Sequence, residues 1–248
     1  FAKTALCYFR LFTRKQSLSM HYPKPKTSPL NKIALKDPSL FKLPNGLTVI
    51  YLQQTKLPLV CFNLCLDIRP FNHALFPGYN QVIDALMGRG NKMLSQTDFY
   101  NQVDFLGAQL EFSLTNSLIN GLSTYKDTLC KLFSQAILQP HFLESELDKV
   151  KTQLIHELNL SKKDPEFIAK RSQKALTYGL NHPQGVFTTA ENLSAIKLNT
   201  VKNLYLNYIK PNNAYLIIHG DMSLEETKAL AHKYWLNWPC SKVNFSPE

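Results

Sequence analysis

The sequence predicts an α+β fold, a two-layer domain with one mixed, mostly antiparallel sheet and helices packed against it. Three observations carry this. The segments run strands, helices, strands, helices, helix, strand, helix, without a strict βαβα alternation. Hydrophobic residues make up 44% and charged residues 19% of 248 positions, enough for a sizeable core and unlike disordered or fibrous chains. The glycines form neither GxGxxG nor GxxxxGK[ST], so the phosphate-binding turns of doubly wound sheets are missing.

The first 40 residues stand apart. Residues 1–36 hold Lys3, Arg10, Arg14, Lys15, Lys24, Lys26, Lys32 and Lys36 and no acid, which accounts for most of the net charge of +10. Residues 37–248 carry 20 basic and 18 acidic groups, so the body is nearly neutral and the charge is weak grounds for a nucleic-acid partner. Residues 1–20 read as a targeting segment, as a truncated export signal or as a disordered basic tail. Pro23, Pro25, Pro29 and Pro38 make residues 21–40 an extended linker.

From Phe41 the pattern is globular. FKLPNGLTVIYLQQ reads as strand, Asn45-Gly46 turn and strand. In LVCFNLCLDI, Phe62, Leu64, Leu66 and Ile68 share one face and Cys61, Asn63, Cys65 and Asp67 the other. A zinc knuckle needs a tight turn between its thiolates, so Cys61 and Cys65 read as small buried residues. Val82, Ile83 and Leu86 give helical spacing, stopped by Gly88 and Gly90. Ser95 caps a helix that ends at Gly107, and AQLEFSLTNS with INGLSTY forms a strand pair. Lys126–Leu138 is helical and closed by Pro140. Leu147, Val150, Leu154 and Leu158 stripe a long helix over 143–160. Asp164-Pro165 opens a helix to Tyr178, and YGLNHPQG is loop. TVKNLYLNYI is helix, NNAYLIIHG strand and SLEETKALAHKYWLNW helix, with a Ser223/Glu226 capping box. No run of about 18 apolar residues occurs, so no transmembrane segment is expected.

These segments together, FKLPNGLTVIYL, LVCFNLCLDI, PGYNQVIDALMGRGN, VDFLGAQLEFSLT, FLESELDKVKTQLIHEL, KKDPEFIAKRSQKALTYGLNHPQG and YIKPNNAYLIIHGDMSLEETKALAHKYW, resemble the N-terminal domain of the pitrilysin/insulinase-type (M16) zinc metallopeptidases. The resemblance covers roughly residues 40–239, and no single motif carries it alone. The lead-in PKPKTSPLNKIAL is similar to that of exported bacterial members. It implies an arm over 1–40, an M16-like domain over 41–239, and at 240–248 the start of a linker to a missing second domain, the chain being a fragment or a trimmed product.

The family's active site is an inverted zinc motif, His-x-x-Glu-His, on the first helix. Positions i, i+3 and i+4 share a helical face, so two imidazoles hold Zn²⁺ while the carboxylate works on bound water, and a distal Glu on a later helix completes the site. With Gly78 and the MGRG terminus aligned, these positions fall on Gln81, Asp84 and Ala85, and the distal ligand falls at or near Glu157. An amide and a methyl group replace the two imidazoles, and catalytic zinc uses three protein ligands. No catalytic residue and no metal or other cofactor is therefore expected, and zinc enters only if a divergent active site has been misaligned. His156 and Glu157 point about 100° apart on their helix and converge poorly. Asp84 with Glu157 reads as a buried acidic remnant contacting Lys or Arg. His73, His141, His182, His219 and His232 lack ligand spacing, Cys130 lies on an apolar helical stripe, and no GxSxG elbow occurs.

The expectation is a catalytically inactive M16-like subunit that forms a peptide-binding chamber with an active M16 partner subunit or a second M16-like domain. Extended peptides are the candidate cargo and nucleic acid is not. The alternatives are a divergent but active zinc metalloendopeptidase and a structural core subunit of a respiratory-type complex. The compartment expected is the bacterial periplasm or cell envelope, with the mitochondrion as the alternative.

Overall fold

The computed structural model describes residues 36–67, 77–182 and 184–241. The basic arm up to residue 35 and His73 lie outside the described residues.

The described residues begin with three strands, β1 (Ser39–Lys42), β2 (Thr48–Gln53) and β3 (Leu59–Leu66). Helices α1 (Tyr79–Met87) and α2 (Gln96–Phe105) follow, then β4 (Gln109–Glu111) and β5 (Asn116–Leu122). Five helices come next: α3 (Lys126–Leu138), α4 (Glu144–Ser161), α5 (Pro165–Tyr178), α6 (Ala190–Ala195) and α7 (Leu198–Tyr208). β6 (Ala214–Gly220) and α8 (Leu224–Trp235) close the chain. The strands form one sheet in the order β1-β2-β6-β3-β5-β4. β2 and β6 run parallel and every other neighbour pair is antiparallel, as the sequence predicts.

Alternation builds the two layers. Val49, Tyr51, Val60, Phe62, Leu64, Ile119, Leu216 and Ile218 are buried beneath the helices, while Thr48, Ile50, Asn63 and Ile217 on the other face are only partly covered. α8 lies over β2, and α3 lies over β3 and β5. Trp235 of α8 meets Phe133 of α3 edge to face at 5.8 Å in the core. β6 enters last yet sits between β2 and β3. Gly220 at its end has φ +138°, and a Cβ there would lie 2.2 Å from the Leu59 carbonyl oxygen, so only glycine fits this close approach.

Caps fix the helix starts. Ser95 accepts from the Asp98 amide at α2, and Asp164 accepts from the Glu166 amide beside Pro165 at α5. Ser223 and Glu226 form the expected capping box at α8. A second box, Thr189 with Asn192, starts α6, a six-residue helix too short for periodicity to reveal. β1 begins at Ser39, immediately after Pro38 and two residues before the expected strand.

Cys61 and Cys65 correct the reading of two small buried residues: both are only half-buried. Alternation places them on the face opposite the described helices. Cys130 is buried as expected, and burial pushes its thiol up to about 12.

Candidate functional site

The helix on which the sequence resemblance places the zinc-motif positions is α1. Gly78 enters it at φ +88°, and a Cβ there would come within 2.9 Å of both Leu193 and Thr188, so glycine lets the loop turn tightly into the helix. Val82, Ile83, Leu86 and Met87 bury one face. α1 packs against α4, the helix that carries Glu157.

Gln81 is exposed, and Asp84 and Ala85 are half-buried. Asp84 is committed elsewhere: its Oδ1 accepts the backbone N–H of Leu114 at 2.5 Å. Burial holds the Asp84 carboxyl above the ordinary carboxylate range, and the Leu114 hydrogen bond offsets part of that. The expected Lys or Arg partner is replaced by a backbone amide. The loop between β4 and β5 has an orphan N–H there, and a short carboxylate one helix away satisfies it.

Glu157 is exposed rather than buried, which corrects the second half of the acidic remnant. Its Oε1 accepts from Gln153 Nε2 at 2.9 Å, and Gln153 Oε1 in turn accepts from Arg89 Nη2 at 2.9 Å. Arg89 also reaches Gln96 at 3.5 Å and lies 3.9 Å from Glu146. Glu157 thus ends a polar relay across the α1–α4 seam, one turn of α4 beyond Gln153. The Arg89–Gln153 link went unread in the sequence, because long side chains from distant segments leave no spacing signal.

The arrangement does not fit zinc. Gln81, Asp84 and Ala85 offer one exposed amide, one carboxylate held by an amide N–H, and one methyl group. Among the described residues, no three His, Cys, Asp or Glu side chains group so as to hold a metal ion. His141, His156, His182, His219 and His232 are all exposed. His182 stacks on Tyr178 at 5.2 Å and accepts the Gln184 amide, a loop-shaping role.

The peptidase M16 inactive domain of Pseudomonas fluorescens superposes with a TM-score of 0.77 at 18% identity, over 86% of this chain and 53% of that one. The fold is that of the M16 peptidases. The periplasmic protease PqqL of Escherichia coli has a TM-score of 0.71 at 15% identity, over 90% of this chain and 26% of PqqL. The family model described as the peptidase M16 inactive domain matches residues 195–248. A Helicobacter pylori protein described as the non-peptidase homolog YmxG is 22% identical over 200 residues, covering 74% of this chain and 46% of that protein. The resemblance to M16 proteins described as inactive is borne out, and the chain spans about half the length of the relative it matches. Among the described residues, no helix is long and apolar enough to cross a membrane.

Proposed function

We propose that this chain is a catalytically inactive M16-like subunit that walls part of a peptide-binding chamber beside an active M16 partner, in the bacterial periplasm or cell envelope. The observation that carries the proposal is α1. It enters at Gly78 and packs against α4, but the positions that the resemblance aligns with the zinc motif hold Gln81, Asp84 and Ala85, and Asp84 is bound to the Leu114 amide. The inactive and non-peptidase descriptions of the similar proteins support the same reading, and the periplasmic PqqL supports the compartment.

The sheet supports a peptide role. Among the described residues β4 is an edge strand of three residues that pairs only with β5, and its outer side is where an added strand would pair. The face opposite the helices leaves Leu59, Leu122 and Tyr215 exposed.

Full-length protein purified from its source should contain no stoichiometric zinc and cleave no peptide in a chelator-sensitive way. It should co-purify with an M16 protein bearing an intact His-x-x-Glu-His. Stoichiometric zinc with chelator-sensitive cleavage would establish the divergent metallopeptidase instead. The triple change Gln81→His, Asp84→Glu and Ala85→His should create zinc affinity with Glu157, and each single change should not, because ligands remain too few. A folded triple variant without zinc affinity would show that α1 is misaligned with the family's motif helix.

A further inference from the structure

Two thiols share the face of β3 opposite the described helices, and they are not equivalent. The Cys65 thiol donates to the side-chain amide oxygens of Asn63 and Asn116, at 3.4 and 3.3 Å. Among the described residues, the Cys61 thiol has no hydrogen-bond partner, and neither has the His219 ring.

The sheet register sets Cys61 and His219 side by side. Cys61 pairs with His219 on β6 and with Asn120 on β5. The Asp221 N–H donates to the Leu59 carbonyl at 2.8 Å, so Leu59 and Asp221 are a hydrogen-bonded pair, and Cys61 and His219 are the next such pair along the ladder. Their Cα atoms are therefore about 5.5 Å apart, with both side chains on one face. Both line a single cleft of about 430 Å³, walled by Leu57, Leu59, Gln109 and Asn120. The thiol is half-buried there and the imidazole is exposed.

Chemistry narrows what this pair takes. A disulfide is out of reach, because Cys65 lies roughly 13 Å along the extended strand and a bridge needs Cα atoms within about 7 Å. Nucleophilic catalysis does not fit, because burial raises the Cys61 thiol and no base is hydrogen-bonded to it. Hard cations take oxygen donors, and no acidic residue lines the cleft. Catalytic zinc takes three protein ligands, and among the described residues no third His, Cys, Asp or Glu joins the pair. A thiolate with an imidazole suits a soft ion. Cu(I), with its filled d shell, accepts two such donors in line. With bonds of about 2.3 Å to sulfur and about 2.0 Å to nitrogen, one ion fills the gap between side chains on facing strands.

We propose that Cys61 and His219 form a two-ligand Cu(I) site on the sheet face opposite the described helices. The Cys61 thiol gives its proton to solvent and the thiolate bonds the ion. A ring nitrogen of His219 donates its lone pair from the facing strand. Copper stays Cu(I) throughout, so no electron is transferred. The site is separate from α1 and independent of the paired-subunit reading.

The test is an anaerobic titration of reduced, full-length protein with Cu(I) in competition with a chromophoric Cu(I) chelator. Wild type should hold one equivalent that Cys61→Ser lacks, and His219→Gln should weaken that equivalent at least tenfold. Cys65→Ser lies on the same strand and face but opposite Tyr215 and Asn116, and it should leave the affinity within twofold. X-ray absorption at the copper edge, on protein loaded with one equivalent, should show one sulfur and one nitrogen neighbour. Cys61→Ala serves if Cys61→Ser unfolds the chain, and the urea midpoint of each variant reports whether the fold is kept. The proposal is overturned if wild type holds no copper against the chelator, or if a folded Cys61 variant keeps the equivalent. Full affinity in folded His219→Gln, an all-sulfur copper environment, or stoichiometric Zn²⁺ at the same pair overturns it equally. None of these outcomes bears on the inactive-subunit reading, which rests on α1.

Discussion

Asp84, which the sequence resemblance aligns with a catalytic carboxylate, serves the backbone in this fold. Asp84→Ala strips the Leu114 N–H of its acceptor and should cost about 1–3 kcal/mol in urea unfolding. Asp84→Asn keeps an acceptor oxygen and should cost under about 1 kcal/mol. The pH dependence has a definite sign. Burial raises the carboxyl in the folded protein, so the folded state holds the proton more tightly than the unfolded chain. That contribution is present in acid and is lost as pH rises through the raised value. Wild type should therefore lose stability relative to Asp84→Asn above about pH 4; an offset that does not vary with pH would refute this. Thiol chemistry gives a second check at this scale. Among the described cysteines, exposed Cys240 should react with a thiol reagent first and half-buried Cys61 and Cys65 more slowly, because burial raises both thiols. Cys130, pushed up to about 12, should react only on unfolding.

The elements were largely legible where local chemistry fixes them. Ser95, Asp164 and the Ser223/Glu226 pair mark helix starts in the sequence and do so in the fold. Ser223→Ala should cost about 1 kcal/mol in denaturant unfolding. What stayed hidden is what distant segments do to each other. Asn45 read as a hairpin turn residue, yet its Nδ2 donates to the carbonyls of Trp235, Leu236 and Trp238, at 2.7, 3.1 and 3.3 Å, and so terminates α8 from the other end of the chain. Asn45→Ala should cost about 1–3 kcal/mol, more than an ordinary turn substitution, because three carbonyls lose a buried donor. The side of β3 left open to Cys61 and Cys65, and the exposure of Glu157, were illegible for the same reason. Periodicity says which residues share a face, and only packing says which face is covered.

The whole molecule is a sheet assembled out of chain order. β2 and β3 are neighbours in sequence but not in space, because β6 lies between them, parallel to one and antiparallel to the other. Until residues 214–220 emerge from the ribosome, the sheet is two separate ribbons, each with an unpaired inner edge. Nascent chain stalled before that point is an aggregation hazard and a natural client for holdase chaperones. The strand that joins the two ribbons thus follows every other described strand in the sequence.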